Sequence, residues 1–327
     1  MPLPENELIA QIRRTAASTS RWRSRGSGAI LQGIGDDCAV LQLAAGDDFL
    51  VTTDFSLEGV HFRRDWHPPE SVGHRCLARG LSDIAAMGGE PVAAFLSLAL
   101  PYDLPQAWVQ RFTRGLTSLG KRYRTRLAGG DTAQSPNGIL ADIIVVGSAP
   151  KGNAVLRSSA RPGDRIYVTG ELGGSAAAVV QMRDQHKKLN PRDYRRHFYP
   201  EPRIEVGKFL REKGIAAAMI DISDGLSTDL AHICEESGVG AEIRGALIPR
   251  ALVGKTPREV DLDFALHGGE DYELLFTARQ GQRIPKQIAG VAVTQIGQIV
   301  RRRGIFLEEE NGASFELAPR GWEHFRR

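Results

Sequence analysis

The sequence has few cysteines, little net charge and no long apolar run, and each shortage removes a class of protein. Its three cysteines, Cys38, Cys76 and Cys234, are odd in number, far apart and never in C-x-x-C spacing. That pattern argues against a disulfide framework or a zinc site and fits reduced, buried thiols in a cytosolic protein. No apolar stretch approaches the roughly 20 residues that span a bilayer. The start, Met1-Pro2-Leu3-Pro4-Glu5-Asn6, lacks a signal-peptide core. With 42 basic and 39 acidic residues the net charge is only +3, which gives no case for nucleic acid. Arg13-Arg14, Arg21 to Arg25 and Arg301 to Arg303 read as solvated surface. A phosphate loop is missing too. Gly254-Lys255-Thr256 looks like the end of one, but Pro249 stands where its first glycine belongs. Gly170-Glu171-Leu172-Gly173-Gly174 lacks dinucleotide spacing and reads as a strand-to-helix turn, whose helix start can still bind an anion. No G-x-S-x-G elbow or cysteine nucleophile motif supports covalent catalysis.

What is present is an ordinary globular composition, 42% hydrophobic and 25% charged, over 327 residues. Strand-like and helix-like stretches alternate in both halves, which predicts two mixed α/β domains. The polar, turn-rich stretch Ala149 to Asp164 marks the boundary, giving residues 1–150 and 151–327. In the first half, Phe49-Leu50-Val51 predicts a central strand ending in Thr52-Thr53-Asp54, preceded by a hairpin turn at Gly46-Asp47-Asp48. Val72, Cys76, Leu77, Leu81 and Ile84 recur at helical spacing and place Asp83 toward protein. Strands are predicted over Val92 to Leu100 and Ile139 to Ser148, and a helix over Gln106 to Tyr123. In the second half, Arg165 to Thr169 and Ala216 to Ile220 read as strands, Leu226 to Ser237 as a helix closed by Gly238, and Gln185 to Tyr199 as a charged surface excursion.

Five times an apolar run abuts a glycine or hydroxyl beside an acid: Gly35-Asp36-Asp37, Thr52-Thr53-Asp54, Gly129-Gly130-Asp131-Thr132, Asp221-Ile222-Ser223-Asp224 and Gly268-Gly269-Glu270-Asp271. Asp83 is a sixth acidic position. Each alone is compatible with a turn or a helix cap. Together they suggest carboxylates converging around cations, because such a cluster repels itself without them. All-oxygen donors select Mg²⁺ or a similar hard ion, which commonly shares its ligands with substrate phosphates.

The same motifs, with Glu58-Gly59-Val60-His61-Phe62 and Leu81 to Gly88, resemble the thiamine-monophosphate kinases of the aminoimidazole ribonucleotide synthetase-like superfamily. They occur in that family's order from about Gly33 to the end. The resemblance implies phosphoryl transfer from ATP to thiamine monophosphate in a cytoplasmic homodimer, with dimerisation and ATP and Mg²⁺ binding in the N-terminal domain and a substrate-side C-terminal domain. Carried over by position, Asp37, Thr52, Thr53, Asp54, Asp83, Asp131, Asp221 and Asp224 would hold Mg²⁺ directly or through water. Gly130, Asp131, Arg157, Ser223 and Tyr123 would contact ATP, and His61, Glu270 and Trp322 the thiamine phosphate. No general base is implied, because the acceptor is an ionised phosphate oxygen. His61 is equally compatible with a satisfied core histidine, Trp322 with packing and Arg157 with a linker charge. Another ATP-dependent enzyme of the superfamily, or a non-catalytic nucleotide or cation sensor, stays open as an alternative. Phe55-Ser56-Leu57 and the Gln185 to Tyr199 insert depart from the family pattern.

Overall fold

The computed structural model describes residues 3, 5–17, 29–32, 40–185, 188–309 and 312–322. It divides into two compact units, Met1–Ile84 with Gly89–Asn153, and Ala85–Gly88 with Ala154–Arg327.

The first unit runs α1 (Glu5–Ala17), β1 (Ala29–Gln32), β2 (Val40–Gln42), β3 (Asp47–Leu57), α2 (Pro69–Ala86), β4 (Glu90–Pro101), α3 (Gln106–Arg122), β5 (Arg126–Ser135) and β6 (Leu140–Pro150). Its four-stranded sheet has the order β3-β6-β4-β5, antiparallel except for the parallel pair β4–β5. The strand predicted as central, β3, is therefore an edge. The more continuously apolar β4 and β6 take the interior of the sheet. The expected hairpin before β3 does not form either. The chain turns at Ala44–Asp47, but β2 pairs with β1 and β3 pairs with β6.

Alternation along β3 and β6 sets the two faces of this sheet. Ala141, Ile143 and Val145 on β6 and Ala94, Leu96 and Leu98 on β4 are buried on the side that α2 covers. Val72, Cys76, Leu77, Leu81 and Ile84 of α2 are all buried, as their spacing requires. Against α2 lies α3, and the two backbones touch at glycines. A Cβ on Gly73 would sit 2.0 Å from the Phe112 carbonyl oxygen, and one on Gly115 would sit 2.0 Å from that of Glu70.

The second unit runs β7 (Arg165–Thr169), α4 (Gly174–Asp184), α5 (Arg195–Phe198), α6 (Ile204–Glu212), β8 (Ala218–Asp221), α7 (Leu226–Ser237), β9 (Gly240–Arg244), β10 (Leu252–Val253), β11 (Arg258–Glu259), α8 (Leu262–His267), β12 (Leu274–Ala278), β13 (Gln287–Ile288), β14 (Val291–Val300), β15 (Gly304–Glu308) and β16 (Ser314–Glu316). Its main sheet has the order β16-β15-β9-β14-β7-β12-β8, with β13 paired to β14 and only β9–β15 parallel. Leu226, Leu230, Ile233 and Cys234 of α7 share a core with Ile166, Val168, Ile220, Ile243, Leu275 and Ile299 of the sheet. Each such side chain contributes about 1.5–3 kcal/mol of burial. Gly238 closes α7 in the left-handed conformation, at φ 68°. The Gln185 to Tyr199 stretch is not wholly surface: His197 and Phe198 on α5 are buried, and His197 Nδ1 lies 2.9 Å from Ser175 Oγ. The charges that suggested a surface excursion flank one inward turn.

Candidate active site

In the first unit, β3 turns Thr52, Asp54 and Ser56 toward α2 and exposes Phe49, Val51, Thr53 and Phe55 on the opposite face. Asp54 lies in a cross-strand row with Ile143 and Leu96, both apolar and buried. Helix α2 brings Asp83 to the same side, and the Thr52 hydroxyl donates to Asp83 Oδ2. Burial pushes the Asp54 carboxyl up to about 7, Asp83 and Asp142 add to the rise, and Arg79 opposes it. Arg79 itself is anchored by donating from Nη1 to the Phe55 carbonyl at 2.5 Å. Among the described residues, three buried side-chain oxygens have no hydrogen-bond partner: Asp54 Oδ2 and Thr132 Oγ1 in this unit and Asp271 Oδ1 in the second. Two facing carboxylates with an unsatisfied oxygen form a hard, anionic donor set, which suits Mg²⁺.

The other predicted groups of this unit lie apart from that pair. Thr53, on the far face of β3, donates to Asp142 Oδ1 at 2.7 Å. Asp131 is exposed within β5, in the cross-strand row of Ser97, Asp142 and Phe55, and its Oδ1 accepts the Thr132 N–H at 2.8 Å. Gly130 takes φ +148°, and a Cβ there would lie 1.9 Å from the Leu96 oxygen, so β5 could not pair so closely with β4 if position 130 carried a side chain. Tyr123 follows α3, with the Arg122 guanidinium 5.6 Å from its ring centre. His61 sits in the turn after β3. Its Nδ1 accepts the Leu57 N–H at 3.0 Å, which leaves the proton of the neutral ring on Nε2. Phe62 beside it is buried against Trp108, ring centres 6.4 Å apart. Asp37 lies outside the described residues.

In the second unit three of the predicted groups, Asp221, Ser223 and Asp224, share one loop, and the backbones of Glu270 and Trp322 bond to it. Asp221 ends β8 and is 5% exposed; Ser223 and Asp224 follow just before α7. The Ser223 carbonyl accepts the Glu270 N–H at 2.7 Å, and the Asp224 carbonyl accepts the Trp322 N–H at 3.0 Å. Glu270 and Tyr272 both take positive φ, 65° and 51°, a strained conformation for side chains of that size, costing about 1–3 kcal/mol each. Trp322 reaches the loop because Gly321 N–H donates to Thr228 Oγ1 at 3.0 Å, and its own side chain is 54% exposed. Arg157 is elsewhere. Its carbonyl accepts the Ser237 hydroxyl at the far end of α7, a helix of 12 residues, hence roughly 18 Å along the axis from Asp224.

Three side chains not singled out from the sequence shape these surroundings, Asp142, Arg79 and Asp229, and so does Asp271, read there only as part of the Gly268–Asp271 motif. Asp229 and His232 lie within 4.8 Å of Asp224, donor atom to donor atom. Asp229 stands five residues after Asp224, one turn into the helix, a spacing that points it back at the loop. Asp271 fills the start of α4: its Oδ2 accepts the Gly173 N–H at 2.7 Å. The helix start that the Gly170–Gly174 turn could offer to an anion is thus taken by a carboxyl group of the chain itself. A cavity of 320 Å³ opens beside it, lined by Arg192, Tyr194, Arg196, Arg203, Asp271 and Glu273 among others. Most of that lining charge is internally paired: Arg203 and Arg196 bridge to Glu273, and Arg196 also to Glu171 at 2.8 Å.

Burial, with Glu273 adding, pushes the Asp271 carboxyl up from its ordinary 3.8 to about 7. Between those values the folded chain keeps a proton that the unfolded chain has released. Asp271 therefore removes stability as pH rises from about 4 to about 7. Asp271→Asn should shrink the difference between urea midpoints at pH 5 and pH 8. An unchanged difference would show that Asp271 ionises without cost.

Two family models match the chain: the AIR synthase related protein N-terminal domain over residues 35–149 and the corresponding C-terminal domain over residues 161–308. Thiamine-monophosphate kinase of Escherichia coli K12 is 41% identical over 303 residues, covering 90% of this chain and 91% of that protein. The Bacillus subtilis enzyme of the same name is 34% identical over 306 residues, covering 90% and 93%. Among solved structures, thiamine-monophosphate kinase from Stenotrophomonas maltophilia K279a superposes with a TM-score of 0.80 at 34% identity, covering 96% of this chain and 99% of that one. AaThiL complexed with AMPPCP and TMP gives 0.75 at 31% identity, covering 99% and 100%.

Proposed function

Since this chain belongs to the thiamine-monophosphate kinase family of AIR synthase related proteins, we propose that it catalyses direct in-line transfer of the γ-phosphoryl of ATP to thiamine monophosphate, with Mg²⁺, giving thiamine diphosphate and ADP. The structural observation that carries this reading is the Asp54–Asp83 pair, two carboxylates held together on one side of a sheet with a buried oxygen left over. The solved relative that holds AMPPCP and TMP supports the choice of substrates.

Bound Mg²⁺ supplies charge neutralisation where two polyanions meet. In the first unit Thr52, Asp54 and Asp83 would hold one ion on the covered side of the sheet, and Thr53 and Asp131 on the other face, with Asp37, are assigned to further ions. Asp221 and Asp224 would do so in the second. Gly130, Asp131, Tyr123, Arg157 and Ser223 are assigned to ATP, and His61, Glu270 and Trp322 to the thiamine phosphate. The acceptor oxygen is already ionised, so the residues orient the reactants and no side chain is needed as a base. The exposed row Phe49, Val51 and Phe55, at 51%, 58% and 55% exposure on one face of the first unit's sheet, supports a second copy of the chain as its cover. The buried thiols of Cys76 and Cys234, both pushed up to about 12 by burial, suit a cytoplasmic setting.

Incubation with ATP, Mg²⁺ and thiamine monophosphate should yield thiamine diphosphate and ADP in equal amounts, and sedimentation of the same preparation should give twice the chain mass. ATP turnover without thiamine diphosphate would sink the kinase reading, and a monomer at micromolar concentration would sink the dimer.

A further inference from the structure

We infer that Asp229 is a positioning residue: its carboxylate sets the backbone of the Ser223–Gly225 loop on which the ATP and metal contacts of the second unit are mounted. The inference deepens the kinase reading and rests on it for the roles of Ser223 and Asp224.

One oxygen of Asp229, Oδ2, accepts three consecutive backbone N–H groups, from Ser223 at 3.1 Å, Asp224 at 3.1 Å and Gly225 at 3.0 Å. The residue is 1% exposed and lies in the first turn of α7. Three successive amides aimed at one point make a concave turn that would otherwise attract an external anion. Here the chain's own carboxylate fills it. The loop consequently offers ligands its side chains, Ser223 and Asp224, rather than these amides. The carbonyls of the same loop are engaged from the other side: Ile222 by the Tyr272 N–H at 2.9 Å, Ser223 by Glu270 and Asp224 by Trp322. A shift at Ser223–Gly225 would therefore carry along the assigned substrate contacts Glu270 and Trp322.

A helix start needs no such device. A neutral Ser, Thr or Asn caps amides without placing a second carboxylate next to Asp224. The chain accepts a like-charge neighbour that burial makes worse, and what it gains is a fixed loop geometry. Misplacing a binding group by about 1 Å can cost on the order of 100-fold in rate.

The test measures ATP affinity by calorimetry in the presence of Mg²⁺ for the full chain and for Asp229→Asn, Asp229→Ala and Asp229→Glu, with far-UV circular dichroism for each. Product formation is assayed separately, so that a wild-type chain that binds ATP without making thiamine diphosphate counts against the kinase reading alone. The amide oxygen of Asn can take the same three N–H groups, so Asp229→Asn should bind ATP within about tenfold of the wild type, while Asp229→Ala should weaken it by about 10- to 100-fold with an unchanged spectrum. Asp229→Glu keeps the charge but lengthens the arm, and should weaken ATP binding as Ala does. It also keeps the question answerable should the Ala variant not fold. Wild-type affinity in folded Asp229→Ala or Asp229→Glu would overturn the inference. So would an Asn variant as damaged as Ala, because charge rather than acceptor geometry would then be what matters.

Discussion

Asp83→Asn should lower turnover by about 100- to 1,000-fold, the range found when one preorganised electrostatic group is removed from an active site. Asp83 rides on α2 between the buried Leu81 and Ile84 and meets Asp54 and Thr52 on the covered side of the sheet. Asn keeps the shape and can still accept the Thr52 hydroxyl, so the substitution removes charge and little else. Asp83 is also one of the causes that raise the Asp54 carboxyl. Without that neighbour Asp54 ionises more readily, and the metal-free protein should melt at the same temperature or higher. Loss of activity without loss of stability separates a charge needed for chemistry from one needed for folding. Turnover at saturating ATP and thiamine monophosphate, read with a thermal melt, decides the matter. Near-normal turnover with an unchanged Mg²⁺ activation curve would remove Asp83 from the site.

Glu273→Leu should destabilise the chain by about 3–5 kcal/mol, the cost of breaking a buried ion pair from one side. Glu273 is fully buried at the entry to β12. It accepts from Arg203 through Nε at 2.6 Å and through a second, shorter contact, and from the Thr169 hydroxyl at 2.6 Å. Arg203 keeps only 17% of its side chain exposed and would be left as an uncompensated cation. Arg196 contributes less, being 34% exposed and paired with Glu171 as well. Replacing both partners, Glu273→Leu with Arg203→Met, should recover most of the loss, since an apolar pair of similar volume leaves no buried charge behind. Urea unfolding of the single and double variants measures both effects. A single variant within 1 kcal/mol of the wild type would mean that water reaches Arg203 freely once Glu273 is gone.

Much of this architecture was legible because the elements around the site are long and strongly patterned. Leu226 to Ser237 with its Gly238 stop, Arg165 to Thr169, and the apolar stripe of α2 appear where hydrophobic period and capping place them. What was not legible is short or evenly polar. Strand β9 alternates its buried Ala241 and Ile243 with the charged Glu242 and Arg244 over only five residues, and β16 is exposed throughout. Edge or interior position was likewise hidden, because it depends on which strands pair and not on the strand itself. The candidate site divides the same way. Its acids announced themselves by recurring after apolar runs, yet their grouping needed the fold. The two-residue period of β3 separates Thr53 from Thr52 and Asp54, and a long-range helix brings Asp83 to the latter pair. Asp229 gave only its spacing from Asp224. The left-handed backbone of Glu270 and Tyr272 left no trace in residue type, since neither is a glycine or an asparagine.

The glycine contact between α2 and α3 would extend the reach of the proposed chemistry well beyond the groups assigned to it. Gly73 stands ten residues ahead of Asp83 on one stiff helix of 18 residues. Any bulk added there pries the rods apart and swings the acid on a lever about 15 Å long. Positions 73 and 115 carry no functional group, yet their tolerance is governed by ångström-scale clearance at a carboxylate they never touch.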